Sequence, residues 1–274
     1  MAKQRTIVGS PLTPTLLKEL RAVDSLPSTP ADFKPDEEWV NTYRIWTCHG
    51  YRESGNENVG FLRIQKKTAR EGNTFELHIE QAVLQTDAMI NTIETHITCM
   101  NNEYASPVQW TLSSYFTGPT GKVLGELSTT ESVSIKGTTL TIETPTGIVH
   151  RQVATPLTSD WSLFEAAQRW DAGQAAHLLV TMLESLQTEK PEQHITYRGL
   201  SQIGDGSEAT RLFRFVQLGT GILPTEYWVD TSHRLLVVTS MNKAHILDEQ
   251  AQEIFTRDVE RARNSYRKRI SQRK

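Results

Sequence analysis

The sequence predicts a mainly β fold of α+β type: a large curved antiparallel sheet or half-barrel, a plugging helix near 160–170 and a covering helix at the C-terminus. Three observations predict it. About a dozen strand-length runs follow one another from Trp39 to Leu247 with short turns between them, and short connections join antiparallel neighbours. So many strands do not lie flat in one sheet, which must curl, split or close. The second observation is the stretch Gly221 to Met241, which reads as a hairpin with both faces apolar. With Thr231 and Ser232 as its loop, Trp228 lies beside Leu235 on one face and Tyr227 beside Leu236 on the other. A one-sided sheet alternates apolar and polar positions, so Leu235-Leu236-Val237-Val238 requires cover on both sides. The third is a pair of helical periodicities, at 160–170 and after 249, placed to supply that cover.

Residues 1–38 read as an N-terminal arm. Leu16, Leu20 and Val23 recur at helical spacing behind Thr13-Pro14, a cap and first-turn proline, which predicts a short helix near 14–23. Pro27, Pro30 and Pro35 then forbid regular structure and make a strap. The β domain spans 39–247. Strands are expected near 40–51, 58–67, 73–85, 90–100, 106–116, 131–136, 139–144 and 147–153, divided by turn residues such as Glu71-Gly72-Asn73, Gly118-Pro119 and Lys136-Gly137. The helix at 160–170 places Trp161, Phe164, Ala167 and Gln168 on one side, with Ser159 or Asp160 as its cap. Residues 175–183 fit strand or helix, and Thr188 to Gln193 reads as a turn. Strands resume near 194–200, 208–218, 222–229, 233–240 and 243–247.

The segment 248–274 is an amphipathic basic helix expected to cover one face of the organising hairpin. Its seam is Ala251, Phe255, Val259, Ala262, Tyr266 and Ile270; Asp248 is the expected cap. Glu249 and Glu253 early and Arg267, Lys268 and Arg269 late suit the helix dipole.

Bulk properties exclude some functions. A net charge of −3 gives no overall attraction for nucleic acid, so the one basic surface, the tail from Arg261 to Lys274, is the only candidate contact for an anionic surface. No apolar run approaches the roughly 20 residues of a membrane helix, so an integral membrane protein is not expected. The first residues lack the apolar core of a secretory signal, which implies a cytoplasmic chain, or a periplasmic one if an export signal was removed. Cys48 and Cys99 have no metal-finger spacing and are expected as reduced thiols in the sheet.

Two groups of side chains carry candidate chemistry. Aligning the apolar faces of 73–84 and 90–99 puts His78, Glu80, Glu94 and His96 together on the opposite face, with His78 facing His96 and Glu80 facing Glu94 in one allowed register. Imidazole and carboxylate ligands so arranged suit zinc or another divalent first-row ion, which would activate water in a hydrolytic enzyme. The alternative is a solvated face neutralised by Arg63, Gln65 and Lys67. The second group is the strand aromatics Trp46, Trp110, Phe213, Phe215, Tyr227 and Trp228, which on a curled sheet line an apolar ligand cavity or fill the core beneath the helices. Asp230 and His233 are expected to form a turn-closing ion pair. No Gly-x-Ser-x-Gly elbow and no phosphate loop are present, because Gly118 to Val123 has the wrong spacing.

The strand succession, the interrupting helix and the closing hairpin from Leu223 to Val238 resemble the half-barrel proteins of the outer-membrane lipoprotein-carrier type and related uncharacterised bacterial families. That resemblance covers 40–247 as architecture and implies a cavity that holds acyl chains, with no individual functional residue carried over. The expected function is therefore a non-enzymatic carrier of a hydrophobic, lipid-like ligand without a cofactor. The metal-dependent hydrolase and a protein-interaction scaffold are the alternatives.

Overall fold

The structure is a computed structural model that describes residues 26–47, 57–68, 72–171, 177–203, 210–240 and 242–272. The helix expected near 14–23, and Cys48, lie outside them. Among the described residues fifteen strands form one sheet: β1 (Trp39–Thr47), β2 (Glu57–Thr68), β3 (Thr74–Leu84), β4 (Ile90–Met100), β5 (Pro107–Thr117), β6 (Val123–Lys136), β7 (Thr139–Thr144), β8 (Gly147–Gln152), β9 (Leu157–Ser159), β10 (Leu178–Glu184), β11 (Thr188–Ile203), β12 (Thr210–Leu218), β13 (Thr225–Asp230), β14 (Leu235–Thr239) and β15 (Lys243–Leu247). Two α-helices join them, α1 (Asp160–Ala166) and α2 (Ala251–Ser271).

The sheet is two meanders laid side by side. Its order runs β8 back to β1, then β15 back to β9, so the first and last strands meet in the middle. Only the short β9 runs parallel to its neighbour, β10. The edges β8 and β9 do not pair with each other, and the sheet stays unclosed.

Its curvature is visible in what one short helix touches. Phe164 of α1 meets Tyr43 of β1 edge-on at 5.2 Å, and Trp170, just past the helix, meets Phe215 of β12 and Tyr227 of β13 at 5.2 and 5.8 Å. Glu165 reaches Lys66 of β2 at 2.7 Å, and Ser162 lies 3.7 Å from Cys99 of β4. Strands far apart in the sheet thus converge on one element, which sits in the concavity as the expected plug. Ser159 starts the helix by accepting from the Ser162 amide at 3.0 Å. Trp161, Leu163, Phe164, Ala166 and Ala167 are all buried. Glu165, also fully buried, takes a second cation, Arg169, at 2.6 and 2.8 Å. Arg169 in turn donates to the carbonyl of Asn102, and Trp170 to that of Glu103.

The Pro-rich strap packs onto this assembly: Leu26 and Phe33 touch the core, and the Pro35 carbonyl accepts from Trp39 and Lys66. Several expectations need correction. Thr188 to Gln193 is strand, not turn, because the reversal falls earlier, at Ser185 and Leu186, both with positive φ. Irregular pairing between Val180 and Met182 absorbs Pro191. The organising hairpin pairs Trp228 with Val237 and Tyr227 with Val238, two residues beyond the expected register, so each side chain keeps its face. The cause is the Asp230 carboxylate, which accepts from the amides of Ser232 and Arg234 at 2.9 Å each and widens the loop. Asp230 also accepts from Thr29, while His233 stacks beside Phe213 at 5.6 Å, so the expected Asp230–His233 ion pair is replaced.

The C-terminal helix covers a different part of the sheet from the one expected. Ala251, Phe255 and Val259 of α2 pack on Phe61, Ala82 and Ile90, over β2, β3 and the start of β4 rather than over the hairpin. Gln250 is its N-cap; Asp248 holds the Gln250 amide at 2.8 Å and pairs with Arg44. Beyond Val259 the seam runs off the sheet, leaving Ile270 exposed. Part of its basic charge is already met, by Asp258 for Arg261 and by Asp87 for Arg269.

Candidate functional site

Strand pairing assembles the histidine and glutamate face in one of the registers the apolar pattern allows. His78 lies opposite His96 and Glu80 opposite Glu94. The two imidazoles stand 4.1 Å apart between centroids. The preceding strand places Arg63 beside Glu80, Gln65 beside His78 and Lys67 beside Glu76. His78 contacts Glu76 at 3.3 Å, and Glu94 accepts from the Tyr115 hydroxyl at 2.9 Å. Partial burial pulls His78 below the usual histidine range, with neighbouring His96 adding to the effect. Burial also raises the Glu80 carboxyl, with Arg63 opposing. Among the described residues no three His, Cys, Asp or Glu side chains converge closely enough to hold a metal ion.

The six strand aromatics separate. Trp110 and Phe215 are fully buried in the core, and Trp46 is nearly so. Trp228 points to the face opposite Tyr227, with the Arg214 guanidinium 5.4 Å from its ring. Phe213 is half-buried between Tyr197 and His233. Tyr227 lines a cavity.

That cavity, of about 400 Å³, lies between the N-terminal end of α1 and the inner face of β10 and β12–β15. Its lining mixes apolar side chains, among them Trp161, Phe164, Met182, Ile222, Leu223 and Val238, with polar ones, Asp160, Glu184, Gln217, Tyr227, Lys243 and His245. Each is placed by a local rule. Asp160 is the first residue of α1, where its Oδ1 accepts from the Trp161 amide at 3.0 Å. Lys243 and His245 alternate along β15 and so share a face, and Val238 opposite His245 brings that face next to Tyr227. The Tyr227 hydroxyl donates to Gln217 at 2.8 Å; Gln217 donates on to Gln193 at 3.0 Å, and Gln193 to the carbonyls of Pro191 and Thr220. Gly219 lies against this chain of amides: a Cβ there would come within 2.6 Å of the Gln193 amide group and make it shift. This part of the lining is thereby fixed before any ligand arrives.

Charge in the cavity is uneven. Glu184 is paired with Lys190 at 3.3 Å, but the Lys243 ammonium has no ion-pair partner within 4 Å among the described residues. Loss of hydration lowers the Lys243 ammonium from the usual lysine value, with Asp160 and Glu184 pulling the other way. Burial drives His245, edge-on to Phe164 at 5.3 Å, well below the ordinary histidine range, so it is neutral. Burial also lifts the Asp160 carboxyl to about 6, against the backbone amides of Ser185 and Trp161 and the charge of Lys243. Its native value therefore exceeds its unfolded one, and the folded state binds the extra proton between about pH 4 and 6. Stability contributed by protonated Asp160 is full below pH 4 and is lost as pH rises to 6. Asp160→Asn is expected to gain stability relative to wild type over that interval and to hold the gain above it, as read by urea midpoints at successive pH values.

Sequence reasoning reached Tyr227 but not Asp160, Lys243 or His245. Asp160 was legible as a helix start, and only the fold shows that the start opens into a cavity. The signal for the other two was the polar pair at alternate positions of Lys243-Ala-His-Ile-Leu247, on the face shared with the buried Tyr227.

No family model matches the chain, and no curated protein matches it. Among solved structures the chain is similar to a beta-barrel-like protein of domain of unknown function DUF1849 from Brucella abortus, at 10% identity and a TM-score of 0.49, over 77% of this chain and 96% of that one. No helix among the described residues is long and apolar enough to cross a membrane.

Proposed function

We propose that the chain is a binding protein for a small, largely hydrophobic ligand held in the cavity between α1 and β12–β15. The observation that carries this reading is the cavity itself: about 400 Å³ beside the plug helix, where Trp161, Phe164, Met182 and Val238 stand among polar groups that include Gln217, Tyr227 and Lys243. Ligand sites commonly have that volume range and that division of labour. The body of the ligand lies against Trp161, Phe164 and Met182, and its polar end meets Lys243 and the Tyr227–Gln217 pair. A medium-chain acyl compound fits this description better than a long lipid, because the plug helix occupies the rest of the concavity.

Thr225 lines the cavity and is only partly buried, so tryptophan there fills the space without entering the core. Thr225→Trp is expected to weaken binding of a fluorescent medium-chain fatty acid at least tenfold, about 1.4 kcal/mol, with the unfolding midpoint unchanged. Equal affinity in the two proteins, or no binding to wild type, overturns the reading.

A further inference from the structure

We propose that Lys243 is a nucleophilic amine and that the cavity takes a small aldehyde or ketone, which Lys243 captures as an imine. This rests on reading the cavity as a ligand site and names the chemistry of what enters it. The geometry has three parts. Lys243 extends from β15 into the half-open cavity of about 400 Å³ that it shares with Trp161, Phe164 and Val238, so a carbonyl compound with a hydrophobic body would present its carbonyl carbon to the amine. Among the described residues no carboxylate pairs with the ammonium within 4 Å, while the nearby Glu184 is already engaged by Lys190. Asp160 stands in the same cavity, close enough that it and Lys243 feel each other's charge.

The groups facing Lys243 decide its state. Asp160 at the start of α1 and Glu184 on β10 favour the ammonium; neutral His245 on β15 and the Tyr227 phenol on β13 add no charge; desolvation outweighs the carboxylates and enlarges the free-amine fraction. An acid titrating near 6 beside such an amine is suited to carry protons both ways at neutral pH.

The step balances without an oxidant or metal. Through one bridging water, Asp160 takes one proton from the Lys243 ammonium. The freed nitrogen lone pair forms the C–N bond, and the carbonyl π pair moves to oxygen. That oxygen collects two protons, one from nitrogen within the adduct and one returned by Asp160, and leaves as water. A protonated C=N bond remains: of the three ammonium hydrogens one stays on nitrogen and two depart in the water.

The test uses the full chain, 4-methylbenzaldehyde as the probe and sodium cyanoborohydride to reduce any imine, followed by intact mass and peptide mapping. Lys243 is expected to take up one equivalent at least tenfold faster than any other lysine at pH 7.5. Lys243→Arg should lose this fast adduct, and Asp160→Asn should slow it. In parallel, binding of 4-methylbenzyl alcohol, which has the same body but no carbonyl, is followed by calorimetry. Labelling of Lys243 no faster than of surface lysines, with the alcohol still bound, overturns the amine chemistry and leaves the binding reading standing. Absence of both labelling and alcohol binding overturns the two together.

Discussion

Replacing Glu165 with alanine is expected to destabilise the protein by about 3–5 kcal/mol, the cost of leaving buried charges without their partner. The Glu165 carboxylate is fully enclosed and holds Lys66 at 2.7 Å and Arg169 at 2.6 and 2.8 Å. Lys66 is itself nearly inaccessible, and among the described residues only the Pro35 carbonyl is left to accept from it. Alanine strands that ammonium in the core and releases Arg169, whose other bond ties the helix region to Asn102. The effect is read as a fall in the urea midpoint at constant slope. Lys66→Met together with Glu165→Leu should recover part of the loss, since it removes the stranded ammonium and leaves only Arg169, which is nearer the surface and keeps its bond to Asn102. If E165A unfolds within 1 kcal/mol of wild type, the plug is not held by this cluster.

Trp110→Ala is expected to cost about 3–5 kcal/mol, the range for deleting a large buried aromatic. The ring is 1% exposed and lies between Ile97 of β4 and Val133 of β6, while its Nε1 donates to Glu131 at 3.0 Å. The same Glu131 oxygen accepts from Gln187 at 2.6 Å, in the turn between β10 and β11, and Arg151 of the edge strand β8 donates to the Gln187 carbonyl. Trp110 thus sits at the point where side chains draw the two ends of the unclosed sheet together. Trp110→Phe, which keeps most of the volume but not the donor, should cost much less than alanine. Similar losses for the two variants would mean that the hydrogen bond, not the packing, dominates.

How much of this was legible beforehand follows from what each element depends on. Local rules sufficed for the plug, because Ser159 caps it and Trp161 and Phe164 repeat at helical spacing. For β3 and β4 they gave the shared face of His78, Glu80, Glu94 and His96 but left the register among several allowed ones, which the strand pairing decides. Where a long-range contact decides, they failed. Asp230 leaves its expected partner His233 for backbone amides and Thr29, some 200 residues earlier, and the hairpin loop widens accordingly. The landing place of α2 was illegible too, since its seam specifies an apolar partner surface without saying which, and Phe61 with Ala82 forms one only after β2 and β3 pair. The cavity was hardest to read. An empty space has no residue of its own, and its polar lining looks, in sequence, like a capping residue and a half-exposed strand.

The strand order has a further consequence for how the chain may be divided. β8 and β9 are consecutive in sequence yet form opposite borders of the sheet, while β1 and β15, at the two extremes of the strand succession, are hydrogen-bonded at its centre. A break in the backbone near Ala154 would therefore interrupt no ladder. It would yield two complementary polypeptides, each a complete meander, joined along the β1–β15 seam. Plug helix and cavity would belong chiefly to the second polypeptide, whereas Lys66 and Tyr43, which grip the plug, would come from the first. The fold is in that sense a heterodimer written as one chain, and its site is finished only when the two halves associate.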